Sequence, residues 1–310
     1  MEKESTIFEF TVSDEYDGFR IDKLLSELID SVSRSYIKKL IDDGKVTCNG
    51  KSVKASLSVK ENDRISLEIP PVEAPEILAQ DIPLDILYED NDVLVVNKPK
   101  DMVVHPSAGH YSDTLVNGIM YHCKDNLSGI NGVMRPGIVH RIDKDTTGSV
   151  IICKNDKAHQ NIADQLKEHS INRVYYAICH GVIKEDEGDV DAPIGRSAND
   201  RKKMAVVKTG GKNAFTHYKV LQRFPVDGFT LIECRLKTGR THQIRVHMAH
   251  IGHPLLGDEV YGPSKKSRFK TNGQCLHAKT LGFIHPTTGE YVEVDAPLPE
   301  YFLHLIEILK

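Results

Sequence analysis

One stretch of the chain, VHRIDKDTTG at residues 139–148, places side chains where they could do chemistry together. Arg141 and Asp143 stand there between two runs of strand-forming residues. If residues 137–143 are extended, side chains alternate between faces. Ile138, His140 and Ile142 then point one way, and Val139, Arg141 and Asp143 the other. Thr146, Thr147 and Gly148 are expected to turn the chain, and residues 149–153 (SVIIC) read as a buried strand. A carboxylate at a strand end beside an arginine is a common way to present a catalytic acid or base on a rigid support. A surface ion pair in a hairpin would use the same residue types.

A second segment, KTGRTHQIRVHMAHIGHPLLGD at residues 237–258, supplies the complementary charge. Thr241 is expected to cap a helix running from His242 to about Ile251, with Gly252 at the position after its end and Pro254 just beyond. Ile244, Met248 and Ile251 form the expected buried stripe, leaving Gln243, Arg245 and His247 off it and Arg240 in the preceding turn. A helix N-terminus carrying arginines suits an anion, either phosphate oxygens or the Asp143 carboxylate. His242, His247, His250 and His253 raise the question of a metal. The zinc-hydrolase pattern H-E-x-x-H is absent, however, and no acidic residue lies inside the run, so no metal site is expected. No glycine-rich phosphate loop and no G-x-G-x-x-G fingerprint occurs, so no cofactor is expected either.

Both segments resemble signatures of the RluA-type pseudouridine synthases. Three further stretches resemble the same family in the same order: NKPKDMVVHP (97–106), RVYYAICHG (173–181) and IGRSANDRKKMAVV (194–207). Together they span roughly residues 80–310. Ile142 and Thr147 stand where the family more often has Leu and Ser, and Asp101 stands where Gly is usual. The resemblance implies an isomerase that cuts the N1–C1′ bond of a uridine in RNA, rotates the base and rejoins it through C5. It implies Asp143 as the catalytic carboxylate, with Arg245 as its charge partner; an arginine within ~4–6 Å lowers an aspartate pKa by roughly 1–3 units. Tyr175 would stack on the flipped base and orient a proton, Arg141 would fill the space the base leaves, and Ile244 would line the pocket. Whether Asp143 attacks the sugar or the ring, or removes a sugar proton, is left open.

The elements that must position these residues form two units. In the first 70 residues, positions 19–28 follow helical spacing, and Ser33 or Ser35 can cap a second helix through Ile37, Leu40 and Ile41 that stops at Gly44. A hairpin about Asn49-Gly50 and a strand at 64–69 complete the unit. The stretch SRSYIKKLIDDGKVTCNGKSV resembles the S4 RNA-binding domain, and Arg34, Lys38 and Lys39, away from the apolar stripe, are its candidate RNA contacts. Residues 71–84 are proline-rich and aperiodic and read as a linker. From residue 85 to 310, short strands alternate irregularly with helices near 113–121, 158–168 and beyond Pro299. That pattern predicts an α+β fold with a mixed, mostly antiparallel sheet, which the resemblance implies to be curved with a central cleft.

Composition neither selects nor opposes this reading. Forty per cent hydrophobic and 27% charged residues are ordinary for a globular protein. The net charge of −4 would not suggest a nucleic-acid partner. Charge is local, though: Arg196, Arg201, Lys202, Lys203, Lys208 and Lys212 face only Asp200 in their segment, so Arg201, Lys202 and Lys203 join Arg240 as candidate phosphate contacts. No long apolar run, no signal-peptide layout and six scattered cysteines without a C-x-x-C pair suggest a cytoplasmic protein with free thiols and no membrane partner. Pairing an S4-like unit with this core resembles enzymes of the RluD type, making large-subunit ribosomal RNA the expected substrate and transfer RNA the alternative. A non-catalytic RNA-binding ribosome-assembly factor and a metal-dependent hydrolase are the competing classes.

Overall fold

The computed structural model describes residues 5–29, 32–70, 77–106, 111–124, 126–130, 136–198, 200, 203–263 and 267–310. Contacts divide the chain into two units, Met1–Ala74 and Pro75–Lys310.

The first unit holds β1 (Thr6–Thr11), α1 (Ile21–Leu28), α2 (Arg34–Asp42), β2 (Val46–Cys48), β3 (Lys51–Ser52) and β4 (Arg64–Ile69). Its antiparallel sheet has the order β1-β4-β2-β3. Asn49 and Gly50 both take positive φ (51° and 71°), which the two-residue hairpin turn requires. The Ser33 hydroxyl accepts the Tyr36 N–H at 3.3 Å and so caps α2. Ile21, Leu24, Leu25, Ile37, Leu40 and Ile41 are buried in one cluster with Val46, Ile65 and Leu67. Strand β1 lies outside the elements expected from sequence.

The second unit contains β5 (Ile86–Glu89), β6 (Val93–Lys98), α3 (Leu115–Cys123), β7 (Thr147–Cys153), α4 (Asp156–Lys167), β8 (Asn172–His180), β9 (Glu187–Asp191), β10 (Ile194–Arg196), β11 (Met204–Val206), β12 (Phe215–Phe224), β13 (Phe229–Leu236), α5 (Gln243–His250), β14 (Leu276–Ile284), β15 (Tyr291–Asp295) and α6 (Glu300–Ile308). The main sheet runs β5-β6-β7-β14-β8-β13-β12-β9, with β15 on β14, and β10-β11 form a separate ribbon. Every pairing is antiparallel except β7 with β14. That pairing explains Gly148: at φ +106°, a Cβ there would lie 2.3 Å from the Ala278 carbonyl oxygen. The architecture is α+β with a mixed, mostly antiparallel sheet.

Three local expectations are corrected. Residues 137–143 are not a strand; only Ile138 forms an isolated bridge, to Ile152. The turn falls at Lys144-Asp145, and Thr147 and Gly148 already belong to β7. Of the stretch read as linker, residues 77–84 are packed on this unit: Ile77 is in its core, and Asn117 Nδ2 donates to the Leu78 carbonyl at 2.7 Å. All six cysteines are buried and unpaired.

Candidate active site

Asp143 ends an irregular segment that β7 and β6 hold from two sides. The Ile151 N–H donates to His140 Nε2 at 3.0 Å. A ring nitrogen that accepts is unprotonated, and burial, assisted by the nearby Arg173 charge, pushes the His140 pKa down to about 3. From the other side, the buried Lys98 Nζ donates to the carbonyls of Pro99, Met102 and Lys144 at 2.7, 2.8 and 2.9 Å. Burial pushes the Lys98 pKa down to about 7, yet three acceptors at these distances engage all three ammonium protons, so the contact is that of the charged form. The backbone on both sides of Asp143 is thereby fixed.

Helix α5 brings the opposite charge. Arg245 Nη1 donates to Asp143 Oδ2 at 2.8 Å, although the two residues are 102 apart in the chain. The same guanidinium donates through Nε and Nη2 to both oxygens of Asp258, at 2.7 and 2.9 Å. Asp258 Oδ1 also accepts the N–H groups of Val260 and Tyr261. Burial works against the charges of Arg245 and Asp258. Their paired hydrogen bonds overcome it, raising the Arg245 pKa, with Asp143 adding to the effect, and lowering that of Asp258. The Tyr261 ring lies 5.1 Å from the guanidinium carbon. With Nε and Nη2 gripped by Asp258, the planar fork is fixed and its Nη1 is the nitrogen that faces Asp143.

His242, not Thr241, is the cap residue of α5, and its backbone is left-handed at φ 56°, ψ 24°. Such a conformation costs a non-glycine residue roughly 1–2 kcal/mol. No side chain caps α5; the Gln243 Oε1 instead ties down the preceding turn, accepting from the Arg240 N–H and the Thr238 hydroxyl. The turn aims His242 Nε2 at Asp143 Oδ1, 3.7 Å away, while Nδ1 meets the Tyr261 hydroxyl at 2.8 Å. That hydroxyl already accepts the Met204 N–H, so its own hydrogen can go to Nδ1, which places the imidazole N–H on the side facing Asp143. Burial lowers the His242 pKa, against the pull of Asp143. The helix ends as anticipated at Gly252 (φ 86°), with the Gly252 and His253 N–H groups returning to Ala249 and Met248. The expected one-sided stripe is not found, because Gln243 through Met248 are all buried.

Asp143, His242, Gln243 and Arg245 line a cavity of about 520 Å³ that also receives Arg141, Tyr175, Arg240 and Ile244. Tyr175 is 8% exposed, and burial raises its hydroxyl pKa. Arg141 is exposed at the cavity, and Ile244 is buried in its wall. Arg240 Nε donates to the Asn213 carbonyl at 2.9 Å. Lys203 is not brought into the cavity; its Nζ donates to the Val260 carbonyl at 3.0 Å. Arg201 and Lys202 lie outside the described residues. In the first unit, Arg34 is committed to Asp22 at 2.9 Å, a carboxylate it shares with Arg20, whereas Lys38 and Lys39 are exposed.

The run of histidines does not converge. His247 contacts the Thr216 hydroxyl and the Ala192 carbonyl, His253 the His180 carbonyl, and His250 is exposed. Among the described residues, the group of His and carboxylates close enough to share a cation is Asp90, Asp92 and His285, none of which lines the cavity. Sequence reasoning gave no role to Asp258, Tyr261 or His242. The available signal was that a forked guanidinium beside a single aspartate leaves donors that need a second acceptor.

Comparison with known proteins yields consistent matches. A family model described as RNA pseudouridylate synthase matches residues 92–250, and the S4 domain model matches residues 19–65. The chain is 54% identical over 302 residues to an uncharacterized RNA pseudouridine synthase of Bacillus subtilis, covering 97% of this chain and 98% of the relative. It is 49% identical over 308 residues to the ribosomal large subunit pseudouridine synthase D of Zymomonas mobilis, covering 96% of each. Among solved structures, human RNA pseudouridylate synthase domain containing 1 superposes with a TM-score of 0.58 at 28% identity, covering 71% of this chain and 86% of the human one.

Proposed function

This chain belongs to the RNA pseudouridylate synthase family, and on that premise we propose that it isomerises specific uridines of large-subunit ribosomal RNA, with Asp143 as the catalytic carboxylate. The names of relatives such as the Zymomonas mobilis protein support the ribosomal substrate, and the S4 match supports an RNA-docking role for the first unit. The observation that carries the residue assignment is the 2.8 Å contact between Asp143 and Arg245 in a cavity that Tyr175 also lines.

The chemistry follows from these positions. The N1–C1′ bond breaks, a C5–C1′ bond forms, the C5 hydrogen leaves as a proton and N1 gains one, so no redox partner or energy source is consumed. A cavity of about 520 Å³ is within the usual range for a small-molecule site. Drawing one base out of the RNA costs a few kcal/mol, least where it is unpaired, and Arg141 at the mouth can occupy the gap. Arg245 holds the carboxylate in one orientation, which favours a near-attack geometry. Tyr175 offers a ring face to the base and, with its raised pKa, a hydroxyl that stays protonated.

The test is incubation of purified protein with total RNA in the presence of a chelator, followed by carbodiimide-blocked primer extension to map pseudouridine. Wild type should generate new stops in large-subunit RNA, and Asp143→Ala should generate none while keeping its far-UV spectrum. Stops that persist in Asp143→Ala would overturn the assignment of Asp143. Stops confined to transfer RNA would overturn the ribosomal substrate.

A further inference from the structure

Among the described residues, the cavity wall holds one buried cation without a counter-charge. Arg173, at the start of β8, is 7% exposed, and its Nε is sealed from solvent without a hydrogen-bond partner. Among the described residues its guanidinium makes no ion pair and no hydrogen bond, in contrast to Arg245 with two carboxylates and Lys98 with three carbonyls. The remaining exposed part of Arg173 belongs to the cavity wall. Room for its head is kept by Gly239, since a Cβ there would lie 2.6 Å from Arg173 Nη1.

A buried charge left unpaired costs several kcal/mol, and an arginine does not escape that cost by losing its proton. Lys167 and His169, both exposed, line the same cavity, while Asp143, the one carboxylate among the described residues that line it, is already engaged by Arg245. The missing partner is therefore an anion that arrives with the substrate. Uracil carbonyls are neutral and would leave the charge uncompensated; the phosphates of the strand would not. Arg173 and Tyr175 are two residues apart on one strand, about 7 Å, a separation one nucleotide can span. We propose that Arg173 forms a buried anion subsite that takes the backbone phosphate next to the everted uridine, with Lys167 and His169 at its rim. This rests on the reading of the protein as an RNA-modifying enzyme.

Two arms test it with the full chain. In the first, thermal unfolding is compared in chloride and in inorganic phosphate at equal ionic strength. Wild type should be stabilised by phosphate and Arg173→Met should not respond. In chloride Arg173→Met should melt about 2–4 °C above wild type, because an uncompensated charge has been removed. A lower melting point in chloride, or equal stabilisation of both proteins by phosphate, would overturn the proposal. In the second arm, turnover is read as tritium released from large-subunit ribosomal RNA transcribed with uridine labelled at C5. Arg173→Met should raise KM about 10-fold, change kcat less than threefold, and flatten the dependence of log kcat/KM on log salt by about 0.7, the value of one single-strand phosphate. Arg173→Lys should restore most of the salt dependence. An unchanged KM and slope would overturn the phosphate assignment. A wild type inactive on this RNA would instead refute the ribosomal substrate, and the first arm would then decide the anion site alone.

Discussion

Replacing Asp258 by Asn removes one charge and nothing of the side chain's shape, so its effect isolates what holds Arg245. Asp258 is fully enclosed and makes two of the three carboxylate hydrogen bonds to that guanidinium. Two unit charges ~4 Å apart at an effective dielectric of ~20 attract by about 4 kcal/mol, and removing one member of a buried pair costs about 3–5 kcal/mol. An amide can still accept one N–H, but its own N–H₂ then opposes the second donor. The expected loss is therefore about 3 kcal/mol or more, corresponding to a fall in Tm of roughly 6 °C or more at ~2–4 °C per kcal/mol. The freed guanidinium should rotate toward Asp143 and displace it, and misplacement by ~1 Å costs about 10²-fold in rate. Urea denaturation gives the first quantity and single-turnover pseudouridine formation the second. A double replacement, Arg245→Met with Asp258→Asn, should be more stable than Asp258→Asn alone while remaining inactive, because the unpaired guanidinium is gone and the amide oxygen still accepts the Val260 and Tyr261 N–H groups. If Asp258→Asn stays within ~1 kcal/mol and threefold of wild type, Asp258 does not orient the site and the chain of charges has no mechanical role.

Acid stability should report two buried neutral histidines. Burial, aided by Arg173, takes His140 down to about 3, and burial takes His277, held between the Thr147 hydroxyl and the Ala296 carbonyl, down to about 4. Because both folded values lie below the unfolded ~6.5, the unfolded chain binds protons first; their contribution is complete above about pH 6.5 and is lost as pH falls through 4 and then 3. Between pH 6 and the folded values these two alone should contribute a slope of ~2.7 kcal/mol per pH unit, at ~1.4 for each group. Urea midpoints between pH 6 and pH 5 measure it, His277→Gln should lower the slope by ~1.4 kcal/mol per pH unit, and a flat profile would contradict both assignments. Deleting residues 1–74 should leave the melting transition of the remaining unit in place while RNA affinity and its salt dependence decline; loss of that transition would show that the second unit does not fold alone.

What could be read from the sequence was local. Helix α2 with its Ser33 cap, the Asn49-Gly50 hairpin and the Gly252 ending of α5 are all set by residues within a few positions of one another, where propensity and φ restrictions act directly. Asp143, Tyr175 and Arg245 were legible as residue types within recognisable motifs. Residues 137–143 alternate like a strand and yet are not one, because strand identity requires a continuous ladder, and β7 meets this segment through an isolated bridge at Ile138, the Cys153 N–H on the Gly137 carbonyl and the Ile151 N–H on His140. The resemblance implied that Arg245 partners Asp143, but only tertiary structure decided the 2.8 Å contact across 102 residues and that Asp258 grips the guanidinium from behind. It also decided that Lys203 turns to a carbonyl instead of the cavity and that Arg173 is buried with no partner among the described residues. The physical reason is that a charge's role depends on what surrounds it after the chain has closed, and no spacing along the sequence states which distant groups will arrive.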